Sequence, residues 1–136
     1  MTSLAKRIFG ETGIIDKEYI SDFSKSFYEY SLEQRKKESQ RALAKHPNKV
    51  PCLLFKGTED TPDSKNHKYL LPKEMLVTEF MTVIRNYVKL APDQAIFLFV
   101  GDSIPRATST IEELYRDYKS DDGYLKITYT IESTFG

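Results

Sequence analysis

Phe80-Met81-Thr82-Val83-Ile84-Arg85-Asn86-Tyr87-Val88 carries apolar side chains at 80, 83, 84, 87 and 88. That is the i, i+3, i+4, i+7, i+8 spacing of a single helix face, the strongest amphipathic pattern in the chain. Thr78 is its expected N-cap. Downstream, Ala95-Ile96-Phe97-Leu98-Phe99-Val100 is a continuous apolar strand turned by Gly101-Asp102. Upstream, Val50 to Lys56 reads as a strand, Gly57 to Ser64 as a polar loop, and His67 to Pro72 as a short strand cut off by its proline. Thr110 and Glu113 have capping-box spacing ahead of a short helix carrying Ile111, Leu114, Tyr115 and Tyr118. Asp121-Asp122-Gly123 then turns the chain into a last strand, where Leu125, Ile127, Tyr129 and Ile131 alternate with polar residues.

Two strands, a crossing helix and two later strands define a mixed sheet with a helix packed across it. A right-handed crossover places the last strand beside the first. The expected fold is α+β, a ubiquitin-like β-grasp with a four-stranded mixed sheet, preceded by two N-terminal helices. The second of these is marked by the Ser31/Gln34 capping box and runs through a basic stretch to Lys45, where His46-Pro47 ends it. It is short of large apolar residues apart from Leu32 and Leu43, so it belongs on the surface.

Residues 1–30 are expected to form an N-terminal extension and first helix, and residues 31–136 the second helix, the β-grasp and a C-terminal glycine tail. Ile15, Tyr19, Phe23 and Phe27 recur every four residues, with Asp16 as a candidate cap. Leu4, Lys6, Arg7, Ile8 and Phe9 form a short apolar and cationic segment ahead of Gly10 and Gly13. Two readings of this region stand: a helix docked on the domain, or a movable arm that seeks a membrane or partner.

Composition narrows the function. The chain has 136 residues, 40% hydrophobic and 29% charged, with 20 basic and 20 acidic side chains. There is no global field to attract nucleic acid, so a basic function must be local. One cysteine, Cys52, cannot form an internal disulfide and lies mid-strand in an apolar run, as an inert core thiol does. His46 and His67 have no metal-ligand spacing with it, and no phosphate loop or nucleophile elbow is present. No cofactor and no enzymatic activity are expected. The last residue, Gly136, follows directly on a strand-like run, and a terminal glycine can enter a narrow channel and present its carboxylate for activation.

Several runs carry a family resemblance. Lys45-His46-Pro47-Asn48-Lys49-Val50-Pro51 resembles the "KYPDRVP" of the autophagy ubiquitin-like modifiers, the GABARAP and light-chain-three group. Lys68-Tyr69-Leu70-Leu71-Pro72 is similar to their "KYLVP", Glu79 to Arg85 to their "QFxxxIR", and Gln94 to Val100 to their "KAIFIFV". The resemblance continues through Asp121-Asp122-Gly123-Tyr124-Leu125 to Thr134-Phe135-Gly136 and covers about residues 22 to 136. Residues 1–21 are an extension that the family does not usually carry.

The resemblance implies a modifier that is conjugated through Gly136 to phosphatidylethanolamine, by activating and conjugating enzymes that grip Phe135 and Thr134. A cysteine protease of the pathway would process or deconjugate it. Gly136 is then the product of processing, the result of truncation, or a native end. The resemblance also implies a groove for cargo receptors and adaptors bearing an aromatic-x-x-aliphatic motif. Its aromatic pocket maps to Glu38, Ala42, Pro51, Leu53, Lys68, Leu70 and Tyr124. Its aliphatic pocket maps to Tyr69, Leu71, Pro72, Met75, Phe80 and Val83, and Lys49 is the contact for acidic flanks. Such a protein is cytoplasmic when free and sits on autophagosome membranes when conjugated. Leu53, Leu71, Phe80 and Val83 would be apolar in any β-grasp, whereas core packing requires no charge at Glu38, Lys49 and Lys68.

There are departures from the pattern. Ala42 replaces a larger aliphatic, His46 a tyrosine, and Lys49 an arginine whose bidentate fork is thereby lost. Asn66-His67 stands where lysines are usual, and Tyr87 and Arg106 where a basic residue and a proline are usual. Two other functions fit the same architecture: a sister-type modifier joined to a protein lysine, and an unconjugated peptide-binding or cytoskeleton-binding adaptor.

Overall fold

The computed structural model describes residues 22–64 and 66–133. Helix α1 (Asp22–Tyr28) leads into α2 (Leu32–Lys45). The predicted capping box is present: Ser31 Oγ accepts from Gln34 N at 3.2 Å, and Gln34 Oε1 accepts from Ser31 N at 3.0 Å. At the other end the His46 N–H still donates to the Ala42 carbonyl, after which φ −134° and ψ 71° carry the chain out of the helix before Pro47. Of the predicted stripe on the first helix, Phe23 and Phe27 lie in α1. Asp16, Ile15, Tyr19 and the Leu4–Phe9 segment fall outside the described residues.

Strands β1 (Lys49–Lys56), β2 (Lys68–Pro72), β3 (Gln94–Phe99) and β4 (Leu125–Ser133) form one sheet in the order β2-β1-β4-β3. The central pair, β1 and β4, is parallel, and both outer pairs are antiparallel. Helix α3 (Val77–Val88) makes the crossover, and α4 (Ile111–Tyr118) links β3 to β4. This is the ubiquitin-like β-grasp expected from the sequence, with two helices in front of it.

Strand alternation divides the sheet into two faces. Val50, Cys52 and Leu54 of β1 join Leu125, Ile127 and Tyr129 of β4 beneath α3 and α4, where Phe80, Ile84 and Ile111 are fully buried. Each large apolar side chain buried there is worth about 1.5–3 kcal/mol. Leu53 points the other way and clusters with Phe27 and Tyr124 beneath α1 and α2. Helix α2 is held to the β4 end of the sheet at Ser39, whose Oγ donates to the Asp122 carbonyl at 2.6 Å. A Cβ on Gly123 (φ +86°) would lie 2.4 Å from Ser39 Oγ, so this turn requires glycine both for its backbone angle and for the close approach.

Three details differ from expectation. Helix α3 begins two residues earlier than a Thr78 cap allows: Leu76 is the N-cap, and its N–H is met by Glu79 Oε1 at 2.9 Å. The next two N–H groups donate to Ser109 and Ala107 carbonyls at 2.9 and 3.0 Å, so a remote loop satisfies this helix start. Tyr87, in the predicted apolar stripe, is 42% exposed. On β4, Thr130 and Glu132 lie on the predicted polar face but are buried, at 3% and 6% exposed.

Candidate functional site

β2 is one of the two edge strands of the sheet and is hydrogen-bonded only to β1. Its register pairs Lys68 with Leu53, Tyr69 with Cys52, Leu70 with Pro51 and Leu71 with Val50. Paired residues project to the same face. Lys68, Leu70, Leu53 and Pro51 therefore share the α2 face, while Tyr69 and Leu71 share the α3 face with Cys52 and Val50.

Of the residues expected on the α2 side, contacts join Glu38, Lys68, Tyr124 and Leu53; of those expected on the α3 side, Tyr69, Leu71, Met75, Phe80 and Val83 lie in or against one core. On the α2 side, Lys68 Nζ and Glu38 Oε1 are 2.7 Å apart and both side chains are about half exposed. Burial pushes the Glu38 carboxyl up, but the hydrogen bonds from Lys68 and from the Tyr124 hydroxyl, aided by the charges of Lys68 and Arg41, bring it below its ordinary value. Burial, followed by the bond to Glu38, pushes the Tyr124 phenol up. Leu53 and Tyr124 are buried, Pro51 is buried, Ala42 is half-buried and Leu70 is exposed.

On the α3 side, Phe80 and Leu71 belong to the main core, at 0% and 5% exposed. Tyr69, Met75 and Val83 pack against that core while remaining partly accessible, and Pro72 is half-buried beside them in sequence. The Tyr69 ring meets Phe80 edge-on at 5.3 Å. Its hydroxyl lies 3.4 Å from Ser64 Oγ, and burial pushes the phenol up. Lys49 is exposed at the start of β1, opposite Pro72 in register. Gly136, Phe135 and Thr134 lie outside the described residues.

Cys52 is 1% exposed, and burial alone pushes its thiol far up, so almost no thiolate forms at neutral pH. Among the described residues, no group of His, Cys, Asp and Glu could hold a metal ion, and no helix is long and apolar enough to cross a membrane.

Sequence reasoning missed the aromatic and cationic surround of Leu53. Phe23 stacks on His67 at 4.3 Å and lies 5.2 Å from Phe55. Phe27 meets Tyr124 edge-on at 5.6 Å. Arg35 and Lys126 approach the Tyr28 ring at 4.9 and 4.8 Å and both bond Asp122, at 3.1 and 3.0 Å. The i, i+4 stripe on the first helix was the available signal: it predicts docking on the domain, though not where.

A four-stranded mixed sheet in the order β2-β1-β4-β3, with a crossing helix and two helices in front of it, is the architecture of a ubiquitin-like protein. The family described as "Autophagy protein Atg8 ubiquitin like" matches residues 34–136. Autophagy-related protein 8 of Candida glabrata is 40% identical over 109 residues, covering 79% of this chain and 92% of the relative. Autophagy-related protein 8h of Arabidopsis thaliana is 37% identical over 114 residues, covering 82% and 96%. Among solved structures, Trypanosoma brucei ATG8 superposes with a TM-score of 0.74 at 27% identity, covering 87% of this chain and all of that one. Plasmodium falciparum Atg8, solved in complex with a Plasmodium falciparum Atg3 peptide, gives 0.71 at 27% identity, covering 82% and 96%. The chain belongs to the Atg8 family of autophagy ubiquitin-like proteins.

Proposed function

We propose that this protein is an autophagy modifier joined through Gly136 to phosphatidylethanolamine, and that it recruits cargo receptors and adaptors by adding their aromatic-x-x-aliphatic segments to the β2 edge. The observation that supports this is that the two sets of residues expected to line the pockets lie on opposite faces of β2, an edge strand paired on one side only. Side chains of an extended peptide alternate faces, so residues i and i+3, an odd number apart, point to opposite sides. The motif spacing matches that arrangement, main-chain bonds to the edge supply affinity, and the pockets supply selectivity. Lys49, exposed beyond the aliphatic end, meets acidic residues flanking the motif.

The acyl chemistry belongs to partners: an activating enzyme, a conjugating enzyme and a cysteine protease that processes or deconjugates the chain. The Plasmodium relative's complex with an Atg3 peptide supports a conjugating-enzyme partner. This reading places the free protein in the cytoplasm and the conjugate on autophagosome membranes. Gly136→Ala should abolish the faster-migrating, membrane-bound species while leaving the melting curve unchanged. Wild-type amounts of that species in the variant would refute lipid attachment at this residue. Mass spectrometry of the cellular protein separates the other two functions: an isopeptide branch marks a protein-conjugated modifier, and a free carboxylate an unconjugated adaptor.

A further inference from the structure

Phe27 is 3% exposed although it sits on a seven-residue helix at the margin of the fold. It is buried against two residues of the aromatic pocket, Leu53 and Tyr124, and a third, Lys68, places its ammonium 6.0 Å from the ring centroid. The Arg35 guanidinium carbon, at 5.5 Å, and Lys126 Nζ, at 5.8 Å, complete a cationic surround. Leu53 and Tyr124 are only 0% and 4% exposed, so a ring arriving from outside cannot touch them until something moves. Two groups stand in the way. One is the Glu38–Lys68 ion pair, half in solvent on both sides and therefore weakly held. The other is Phe27.

We propose that Phe27 is an own-chain occupant of the aromatic site, and that a partner's aromatic residue enters by displacing helix α1. This rests on the reading of that site as a peptide groove. The exchange is like for like. An incoming ring would find the apolar Leu53 side chain, the edge of Tyr124 and the Lys68 cation, which are the contacts that Phe27 now makes. Helix α1 is suited to leave, because seven residues are too few to hold a helix without tertiary contacts. Those contacts are the Phe23 stack on His67, the Phe27 burial and the Tyr28 ring between Arg35 and Lys126. A groove open a tenth of the time binds about tenfold more weakly than the open form. The cover therefore sets a threshold that strong or multivalent partners pass and weak ones do not.

The test titrates a synthetic peptide with an aromatic-x-x-aliphatic core and acidic flanks into the full chain and into Phe27→Ala, by calorimetry. The variant should bind about fivefold tighter or more. Equal or weaker binding by a folded variant overturns the proposal, since Phe27 would then be a bystander or a wall on which the partner stacks. Binding to neither chain sinks the groove reading itself, and the cover with it. Because Phe27→Ala removes a buried ring and can unfold α1 outright, a second variant reads the motion directly. The chain has no tryptophan, so Phe27→Trp is a unique reporter. Its emission should move to the red, and its quenching by acrylamide should rise, as peptide saturates the chain. An unchanged spectrum at saturation shows that the ring stays, and the proposal fails.

Discussion

On the α3 and α4 face of the sheet, fifteen buried residues, nearly all aliphatic, form one cluster. On the α1 and α2 face, the corresponding cluster among the described residues is Phe27, Leu53 and Tyr124. It is bordered by the partly buried rings of Phe23 and Phe55 and by the cations of Arg35, Lys68 and Lys126. Aliphatic packing is non-directional and costly to open, because every group that leaves exposes apolar area. Aromatic rings bordered by cations can trade one partner for another of the same chemistry at little net cost. One face is therefore built to persist and the other to exchange, and β2 is the seam between them.

Breaking the persistent face should have the largest effect. Phe80→Ala leaves a cavity at a position that is fully buried, and should cost about 3–5 kcal/mol in urea unfolding. A loss below about 1 kcal/mol would mean that α3 does not anchor the core.

The exchanging face is pinned at Asp122, 1% exposed, whose carboxylate bonds Arg35, Lys126, the Ser120 hydroxyl and the Tyr124 N–H. Asp122→Ala strands two cations and should cost about 3 kcal/mol. Its acid dependence sharpens the contrast. Burial pushes this carboxyl up, but the Ser120, Lys126 and Tyr124 bonds bring it below its ordinary 3.8. A carboxyl lowered by folding contributes stability that is complete above its ordinary value and disappears as pH falls through the folded one. The gap between wild type and Asp122→Asn should thus be constant from pH 7 down to about pH 4 and close below it. A gap that grows on acidification would contradict the assigned direction.

At the seam, the double change Tyr69→Ala and Leu70→Ala should weaken an aromatic-x-x-aliphatic peptide by about 2 kcal/mol or more, with a melting curve to control for the Tyr69 contact with Phe80. Lys49→Glu should matter only for peptides with acidic flanks, and less as salt rises. Unchanged calorimetric affinity in the double variant would move the binding surface elsewhere. The smallest effect lies far from the seam. Lys89 caps α3 with φ 54°, a left-handed backbone that glycine adopts without cost. Lys89→Gly should change stability by under about 1 kcal/mol, in the stabilising direction. A clear loss would show that the lysine side chain contributes more than its backbone strain costs.

The persistent face was the more legible in sequence. The 80, 83, 84 and 88 face of α3 and the Leu125, Ile127, Tyr129 alternation on β4 are local patterns, and each lies where its spacing puts it. The start of α3 was misplaced because its free N–H groups are met by Ala107 and Ser109, about thirty residues away, beyond any local window. At the edge strand, the charges at Glu38 and Lys68, which no core needs, were the legible signal, and the fold brings them to 2.7 Å. Phe27 was not readable as part of that site. The stripe places it on a helix face, but what the face meets depends on how α1 crosses the sheet, which is a tertiary outcome.

The sheet order also decides how the molecule carries force. β4, from which the glycine tail continues, is an inner strand, bonded by five register pairs to β1 and six to β3. Tension along the tail is directed along the strand axis, so these rows are strained together in shear instead of parting one bond at a time. The edge strand β2 has a single neighbour and can be peeled. Pulled from residue 133 in a single-molecule trap, the domain should yield at higher force than when pulled at right angles through β2. A load at the end of β4 thus pulls the fold along its strongest direction, and a tug on β2 along its weakest.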